Sequence, residues 1–152
     1  MTAYKQAVSV LVVIFTRDLD VLLLERSAHP GFWQSVTGSR EGDESLIATA
    51  AREVGEETGL NTNRFELSDW QQTNRYEIFK EWRHRYAPGV SENTEHVFSL
   101  LLPERQAIRI SPDEHRQWCW LNWKEAAEKC FSASNREAIL ALPSRIAGAK
   151  TR

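Results

Sequence analysis

Residues 38–60 (GSREGDESLIATAAREVGEETGL) combine a helical apolar repeat with a run of acids, and no other segment constrains the fold as strongly. Asp43 is the expected N-cap, because carboxylates are favoured at the positive end of a helix. Gly59 is expected to end the helix, since glycine tolerates the left-handed conformation found there. At about 100° per residue, the aliphatic side chains between them fall on one face, which we expect to pack on a core: Leu46, Ile47, Ala50, Ala51 and Val54.

The acids of this helix are placed where they oppose its stability. Glu53, Glu56 and Glu57 lie three or four residues apart, so their carboxylates share one face and repel one another. Glu56 and Glu57 also lie at the negative end of the helix dipole. An isolated acidic face of this kind is usually just solvated. A bound Mg²⁺ or Mn²⁺ would remove both penalties, because hard cations take oxygen ligands.

The complete segment resembles the Nudix box, G-x5-E-x7-R-E-U-x-E-E-x-G-U, in which U is a bulky aliphatic residue. Every specified position is matched, by Gly38, Glu44, Arg52, Glu53, Val54, Glu56, Glu57, Gly59 and Leu60. The resemblance implies an α/β fold, an αβα sandwich with a mixed β-sheet between helices, and one domain over residues 1–152. It also implies a metal-dependent pyrophosphohydrolase that cleaves phosphoanhydride bonds, with one to three Mg²⁺ ions as cofactor and Mn²⁺ as an alternative.

The remaining motif residues are interpreted as structural: Gly38, Glu44, Arg52 and Gly59. The planar guanidinium of Arg52 can hold a carboxylate, that of Glu44 or Glu56, and so orient the metal ligands. Gly38 would let the backbone pass close to a metal or a phosphate.

The rest of the chain reads as strands followed by helices. Residues 8–16 (VSVLVVIFT) are a β-branched run typical of a strand buried on both faces. Asn122 and Ser134 are candidate N-caps of two late helices, and Pro143 disturbs or ends the second. Further strands are predicted at 21–26, 33–38, 65–76, 78–86, 95–102 and 118–121, and the helices at 123–131 and 135–146. This order favours a mixed sheet covered by helices on both sides.

Composition excludes several classes of function. The net charge of −2 gives no general attraction to nucleic acid or membranes. The longest apolar run, residues 8–15, is too short to span a bilayer, and the first ten residues lack a signal-peptide layout. Cys119 and Cys130 show no metal-binding spacing and are expected to be free thiols of a reducing compartment, the cytoplasm.

Segments outside the box resemble one bacterial subfamily, the dihydroneopterin triphosphate pyrophosphatases of folate synthesis. They are FWQSVTGS at 32–39, RHRYAPGV at 83–90 and NTEH at 93–96. This resemblance implies release of pyrophosphate from the pterin triphosphate, which leaves the monophosphate. It implies that Glu53 and Glu57 ligate metal, and that Glu114 is a further ligand or the general base. It further implies substrate contacts at Lys5, Arg26, Thr37, Tyr76, Glu77, Ile78, Phe79 and Ser132.

The physical chemistry of these residues allows the implied roles without requiring them. Lys5 and Arg26 suit phosphate oxygens but are equally well explained as ordinary surface charge. Tyr76 and Phe79 could stack on a flat bicyclic base, and Glu77 could accept hydrogen bonds from its amino and ring N–H groups. The alternative is an ordinary strand with one face in the core.

Two other functions remain open. The same chemistry could act on a (deoxy)nucleoside triphosphate, an oxidised nucleotide, a dinucleoside polyphosphate or an RNA 5′ end. The fold could also serve as a non-catalytic nucleotide-binding module, although such a module would be expected to lose box carboxylates that this chain keeps. The Arg83–Tyr86 segment mixes basic and aromatic residues, but strand alternation would split them between two faces, so a nucleic-acid partner is not expected.

Overall fold

The computed structural model describes residues 4–150, with side chains described as far as residue 146. A mixed sheet is built around strand β1 (Val8–Thr16). The other strands are β2 (Asp20–Arg26), β3 (Trp33–Gln34), β4 (Val36–Ser39), β5 (Glu66–Glu77), β6 (Glu92–Leu102) and β7 (His115–Asn122). Within the described range this gives seven strands, with a central order β3-β2-β1-β6-β5, while β4 pairs with β1 and β7 with β2.

Strand β1 is buried almost throughout, as its β-branched sequence predicts. It pairs in parallel with β6 from Val8↔Thr94 to Thr16↔Leu102. Its other edge is shared, because β4 pairs with its first half and β2 meets its end at Phe15↔Val21. The polar residues of β4 and β6 therefore lie on either side of the start of β1.

Helices cover both faces of the sheet, which confirms the predicted αβα arrangement. Helix α1 (Leu46–Thr58) packs over Val10 and Val12 through Ala50 and Val54. The opposite face carries α2 (Trp123–Lys129), α3 (Ala133–Leu140) and α4 (Leu142–Lys150). Within residues 4–150, no helix combines the length and the apolar character needed to cross a membrane.

The start of α1 differs from the prediction. Ser45, not Asp43, is the N-cap, and its side chain accepts a hydrogen bond from the Ala48 amide at 3.2 Å. Glu44 is turned inward toward Arg52, so the helix begins after it. Ile47 was expected in the core but is 51% exposed. The helix ends as predicted, with Gly59 in the left-handed conformation at φ 77°.

Other predicted boundaries also need correction. The predicted strand at 33–38 is two short strands, β3 and β4. The strand predicted at 78–86 is wrong, because Lys80–Arg85 is a 3-10 helix. Phe79 caps its start, and the ring centroids of Phe79 and Trp82 lie 4.9 Å apart. Helix α3 is capped by Ser132 rather than Ser134. It ends at Leu140, and Pro143 falls in the first turn of α4, where a missing N–H is tolerated.

Candidate active site

A single open cavity of about 1280 Å³ lies between β4, β5, β6, the start of α3 and the loop before β7. Its volume is ample for a nucleotide-sized ligand. Glu53 and Glu114 line one part of it. All of the substrate contacts implied by the sequence resemblance line it as well, namely Lys5, Arg26, Thr37, Tyr76, Glu77, Ile78, Phe79 and Ser132.

The three acids of α1 lie in different environments, contrary to the prediction that their carboxylates share one face. Glu53 and Glu57 face the sheet, with exposed fractions of 8% and 0%. Glu56 points outward, and its side chain is 52% exposed. The carboxyl group of Glu53 occupies the space where a side chain of residue 38 would lie. Gly38 is therefore required for close approach of a helix side chain to β4.

Arg52 is the organising cation of this region. Its Nε and Nη2 donate to the two carboxylate oxygens of Glu44, each at 2.9 Å. Its Nη1 lies 2.8 Å from Glu53 Oε1 and 3.4 Å from Glu56 Oε2. Nη2 also donates to the Ser39 carbonyl at 3.0 Å, which ties the helix to β4. The hydrogen bonds from Arg52, together with those from the Glu41 amide and the Thr49 hydroxyl, lower the pKa of the Glu44 carboxyl to about 2.

Glu57 is a buried acid without compensation. Neither of its carboxylate oxygens has a hydrogen-bond partner among the residues described. Burial, reinforced by the neighbouring Glu53 carboxyl, raises the pKa of Glu57 well above its ordinary value. An unpaired buried acid is costly to the folded state, so such a side chain calls for a cation.

The residues around Glu57 fit a divalent metal ion. Glu57, Glu114 and His115 each offer a ligand atom, and these atoms lie within 4.8 Å of one another. Carboxylate oxygens suit hard cations, and a neutral imidazole nitrogen extends the set toward the first-row transition metals. The arrangement could therefore hold a divalent cation between α1 and the loop before β7.

His115 and Gln34 belong to this site, although the sequence analysis gave them no role. His115 is 3% exposed, and its Nε2 lies 3.7 Å from Glu57 Oε1. Burial, assisted by the Arg26 charge, lowers the pKa of His115 to about 4, so the ring is neutral at pH 7. Gln34 Nε2 lies 3.5 Å from the same ring nitrogen, across 81 residues of sequence. The only sequence signal for His115 was its position next to Glu114.

Glu114 is held at the cavity by backbone contacts. Its carbonyl accepts from the Ser27 amide at 2.9 Å, and the Ser27 hydroxyl donates to the Pro112 carbonyl at 2.8 Å. These bonds tie the segment to Ser27, directly after β2. Burial and the Glu53 and Glu56 charges raise the pKa of the Glu114 carboxyl.

Lys5 and Arg26 are two of the cationic residues that line the cavity with these acids. Burial, together with Arg85 and Arg26, lowers the pKa of Lys5. Burial also lowers the pKa of Arg26, whose guanidinium lies 5.0 Å from the Trp82 ring centroid and donates to Gln34 Oε1 at 3.3 Å. Arg26 Nε is buried and has no hydrogen-bond partner among the described residues, and a guanidinium of this kind is suited to phosphate oxygens.

The other part of the cavity is aromatic and polar. The Tyr76 hydroxyl accepts from Asn93 Nδ2 at 2.9 Å, and Phe79 is 47% exposed next to Trp82. Ile78 is buried, whereas Glu77 is an exposed residue at the end of β5. The site thus has a charged end suited to phosphates and a flat-walled end suited to a ring system.

Comparison with known proteins agrees with this description. The NUDIX domain model matches residues 5–142. The dihydroneopterin triphosphate diphosphatase of Escherichia coli K12 is 47% identical over 139 residues, 90% of this chain and 91% of the relative. The enzyme of the same name from Haemophilus influenzae is 43% identical over 142 residues, 91% of this chain and 89% of the relative. The solved structure of the E. coli dihydroneopterin triphosphate pyrophosphohydrolase superposes with a TM-score of 0.84 at 46% identity, covering 90% of this chain and 94% of that one.

Proposed function

Because this chain belongs to the NUDIX family, we propose that it hydrolyses dihydroneopterin triphosphate to dihydroneopterin monophosphate and pyrophosphate. One observation carries the proposal. Relatives named for this activity match about nine-tenths of both chains, and every substrate contact that their subfamily implies lines a single cavity here.

We assign the metal to Glu53, Glu56, Glu57 and Glu114, with Mg²⁺ as the cofactor and Mn²⁺ as a substitute. The two unpartnered oxygens of buried Glu57 support this assignment, and His115 adds a neutral donor beside them. When bound, the cation neutralises phosphate charge and lowers the pKa of a coordinated water.

The chain's own residues orient the reacting groups. Arg52 fixes the rotamer of Glu53 through the 2.8 Å contact, so that this carboxylate stays beside Gly38. Lys5 and Arg26 bind the oxygens of the triphosphate and hold it in the charged end of the cavity. Thr37 and Ser132 offer hydroxyl groups to the same chain of phosphates.

Glu114 is the group we assign to proton transfer. Its carboxylate has two oxygens, so that Glu114 would be able to help hold a metal and also accept a proton from the attacking water. Burial and the Glu53 and Glu56 charges raise the pKa of this carboxyl, which makes it a stronger base than an ordinary glutamate. Water adds its oxygen to one phosphorus as the bond to the bridging oxygen breaks, and pyrophosphate departs.

The pterin end is assigned to the residues 76–79. The ring of Tyr76, oriented by the hydrogen bond from Asn93, and the half-exposed ring of Phe79 offer flat surfaces for a bicyclic base. Ile78 supplies buried apolar backing between them, and Glu77 lies at the rim.

A substrate panel tests the proposal. Purified protein in Mg²⁺ is given dihydroneopterin triphosphate, each deoxynucleoside triphosphate and a dinucleoside polyphosphate, and released pyrophosphate is measured. We expect the highest kcat/KM for the pterin triphosphate. Preference for dATP would replace it with a nucleotide substrate, and no turnover of any compound in Mg²⁺ or Mn²⁺ would favour a non-catalytic binding module.

A further inference from the structure

A buried acid that none of the assigned roles uses lies at the ring-binding end of the cavity. Glu95 is on β6 and is 4% exposed, and Asn93, two residues earlier on the same face, is 3% exposed. Both line the cavity. Ser9 of β1 lies directly opposite Glu95 in the parallel register and shares that face. These residues form a polar floor on this face of the sheet.

The hydrogen bonds of Glu95 leave one oxygen available. Ser134 Oγ donates to Glu95 Oε1 at 2.8 Å, and Asn74 Nδ2 donates to the same atom at 3.3 Å. No hydrogen bond to Oε2 is found from residues 4–150. Burial raises the pKa of the Glu95 carboxyl, and further donors would favour its charged form.

Asn93 also has a side-chain oxygen without a hydrogen-bond partner among the described residues. Its Nδ2 donates to Ser9 Oγ at 2.7 Å and to the Tyr76 hydroxyl at 2.9 Å. Its Oδ1 is buried and has no partner in the described part of the chain. Buried polar atoms are normally hydrogen-bonded, so an orphaned acceptor on a residue that lines a cavity indicates a donor supplied by a ligand.

We propose that Glu95 and Asn93 determine specificity by accepting hydrogen bonds from a ring edge carrying an amino group next to a ring N–H. This inference rests on the proposed function, because a pterin presents such a 2-amino-4-oxopyrimidine edge, and guanine presents the same edge. Adenine and cytosine instead place a ring acceptor beside the amino group, and that lone pair would face the carboxylate. The two acceptors of the floor therefore favour bases with an amino group beside a ring N–H over bases with an amino group beside a ring acceptor.

Glu95 suits this role better than Glu77, which the sequence analysis had assigned to it. Glu77 is exposed at the end of β5, where water competes for its oxygens. Glu95 lies in the floor, and the hydroxyl of Ser134 and the amide of Asn74 hold its carboxylate in one orientation. A buried, fixed acceptor discriminates between substrates more strongly than a solvated one.

The test is the substitution Glu95→Gln. Its carbonyl can still accept from Ser134 and Asn74, while its amide replaces the free acceptor with a donor. We measure kcat/KM for dihydroneopterin triphosphate, dGTP and dATP, with Glu66→Gln as control, since Glu66 is an exposed glutamate at the start of β5. We expect the pterin-to-dATP and dGTP-to-dATP ratios to fall at least tenfold in Glu95→Gln and to stay unchanged in the control. A smaller fall in the pterin ratio overturns the inference.

The measurements distinguish failure of the proposed function from failure of the role proposed for Glu95. If the wild-type protein does not turn over the pterin triphosphate, the proposed function fails, and the dGTP-to-dATP ratio alone decides the role of Glu95. If Glu95→Gln does not fold by circular dichroism, the wild-type protein is compared on dGTP and dITP, because hypoxanthine lacks only the 2-amino group. We expect at least a fivefold lower kcat/KM for dITP, and a smaller difference overturns the inference.

Discussion

The carboxyl group of Glu53 lies against the α-carbon of Gly38, in the space that any side chain at position 38 would fill. A glycine in β4 and an acid in α1 are therefore one structural unit, although fifteen residues of sequence order separate them. The two positions are coupled because any side chain at position 38 would displace the Glu53 carboxyl.

Gly38→Ala should displace Glu53 or push α1 away from β4. Activity should fall by at least tenfold, and Mn²⁺ affinity, followed by electron paramagnetic resonance, should weaken. Gly55→Ala is the matched control, since Gly55 is a helical glycine whose added carbon would meet only the Leu60 carbonyl at 3.9 Å. That control should keep full activity and gain up to about 1 kcal/mol in unfolding free energy. Wild-type activity in Gly38→Ala would contradict the steric argument.

Glu57→Gln should separate metal binding from stability. Turnover in saturating Mg²⁺ should fall by roughly 10²–10³-fold, which is typical of losing one electrostatic contact at a reacting centre. Without metal, the melting temperature should hold or rise, because the substitution removes a buried carboxyl that lacks a partner among the described residues. Glu128→Gln, on the exposed side of α2, is the control for both measurements. A turnover loss below tenfold would rule out a ligand role for Glu57.

The Glu44–Arg52 pair should contribute to stability in a defined pH range. The pKa of Glu44 is lowered to about 2, whereas an unfolded glutamate titrates near pH ~4.3. The stabilising contribution is therefore complete above that unfolded value and is lost as the pH falls toward 2. Urea unfolding of wild type and Glu44→Gln between pH 6 and pH 2 should give a stability difference that shrinks on acidification. A constant difference would show that the charge of Glu44 is not what matters.

The two cysteines should be poorly reactive in the folded protein. Burial raises the pKa of the Cys130 thiol to about 12 and raises that of Cys119 as well. Since the thiolate is the nucleophile, iodoacetamide at pH 8 should leave Cys130 unmodified until urea unfolds the chain. Peptide mass spectrometry at timed intervals measures this. Alkylation of native Cys130 at the rate of a free thiol would contradict its burial.

The box, the central strand and the layered arrangement follow from local pattern. The run of β-branched residues specifies β1, and the spacing of Glu53, Glu56 and Glu57 specifies an acidic helix. The predicted N-cap was wrong because the helix begins at Leu46, so Ser45 rather than Asp43 accepts from the Ala48 amide, while Glu44 pairs with Arg52.

The other incorrect or missed predictions depend on contacts between residues three apart or on contacts between residues distant in sequence. Residues 80–85, predicted as a strand, form a 3-10 helix. Phe79 contacts Trp82 three residues later, and Arg83 Nε donates to the Ile78 carbonyl at 3.0 Å. His115 and Gln34 lie close together because β2 pairs with both β3 and β7. That Glu95 faces a cavity instead of solvent depends on the register between β1 and β6, which no local pattern contains.

The parallel pairing of β1 with β6 also orders events during synthesis of the chain. The Gly38–Glu53 unit is complete once the first sixty residues have left the ribosome, whereas the bond from Asn93 to Ser9 spans 84 residues. Nascent protein can form the Gly38–Glu53 contact early, whereas the polar floor of Glu95 and Asn93 forms only when β6 docks beside a strand made much earlier. Such distant pairing is slow, so β6 docking is the step at which a folding delay would leave the enzyme half-built.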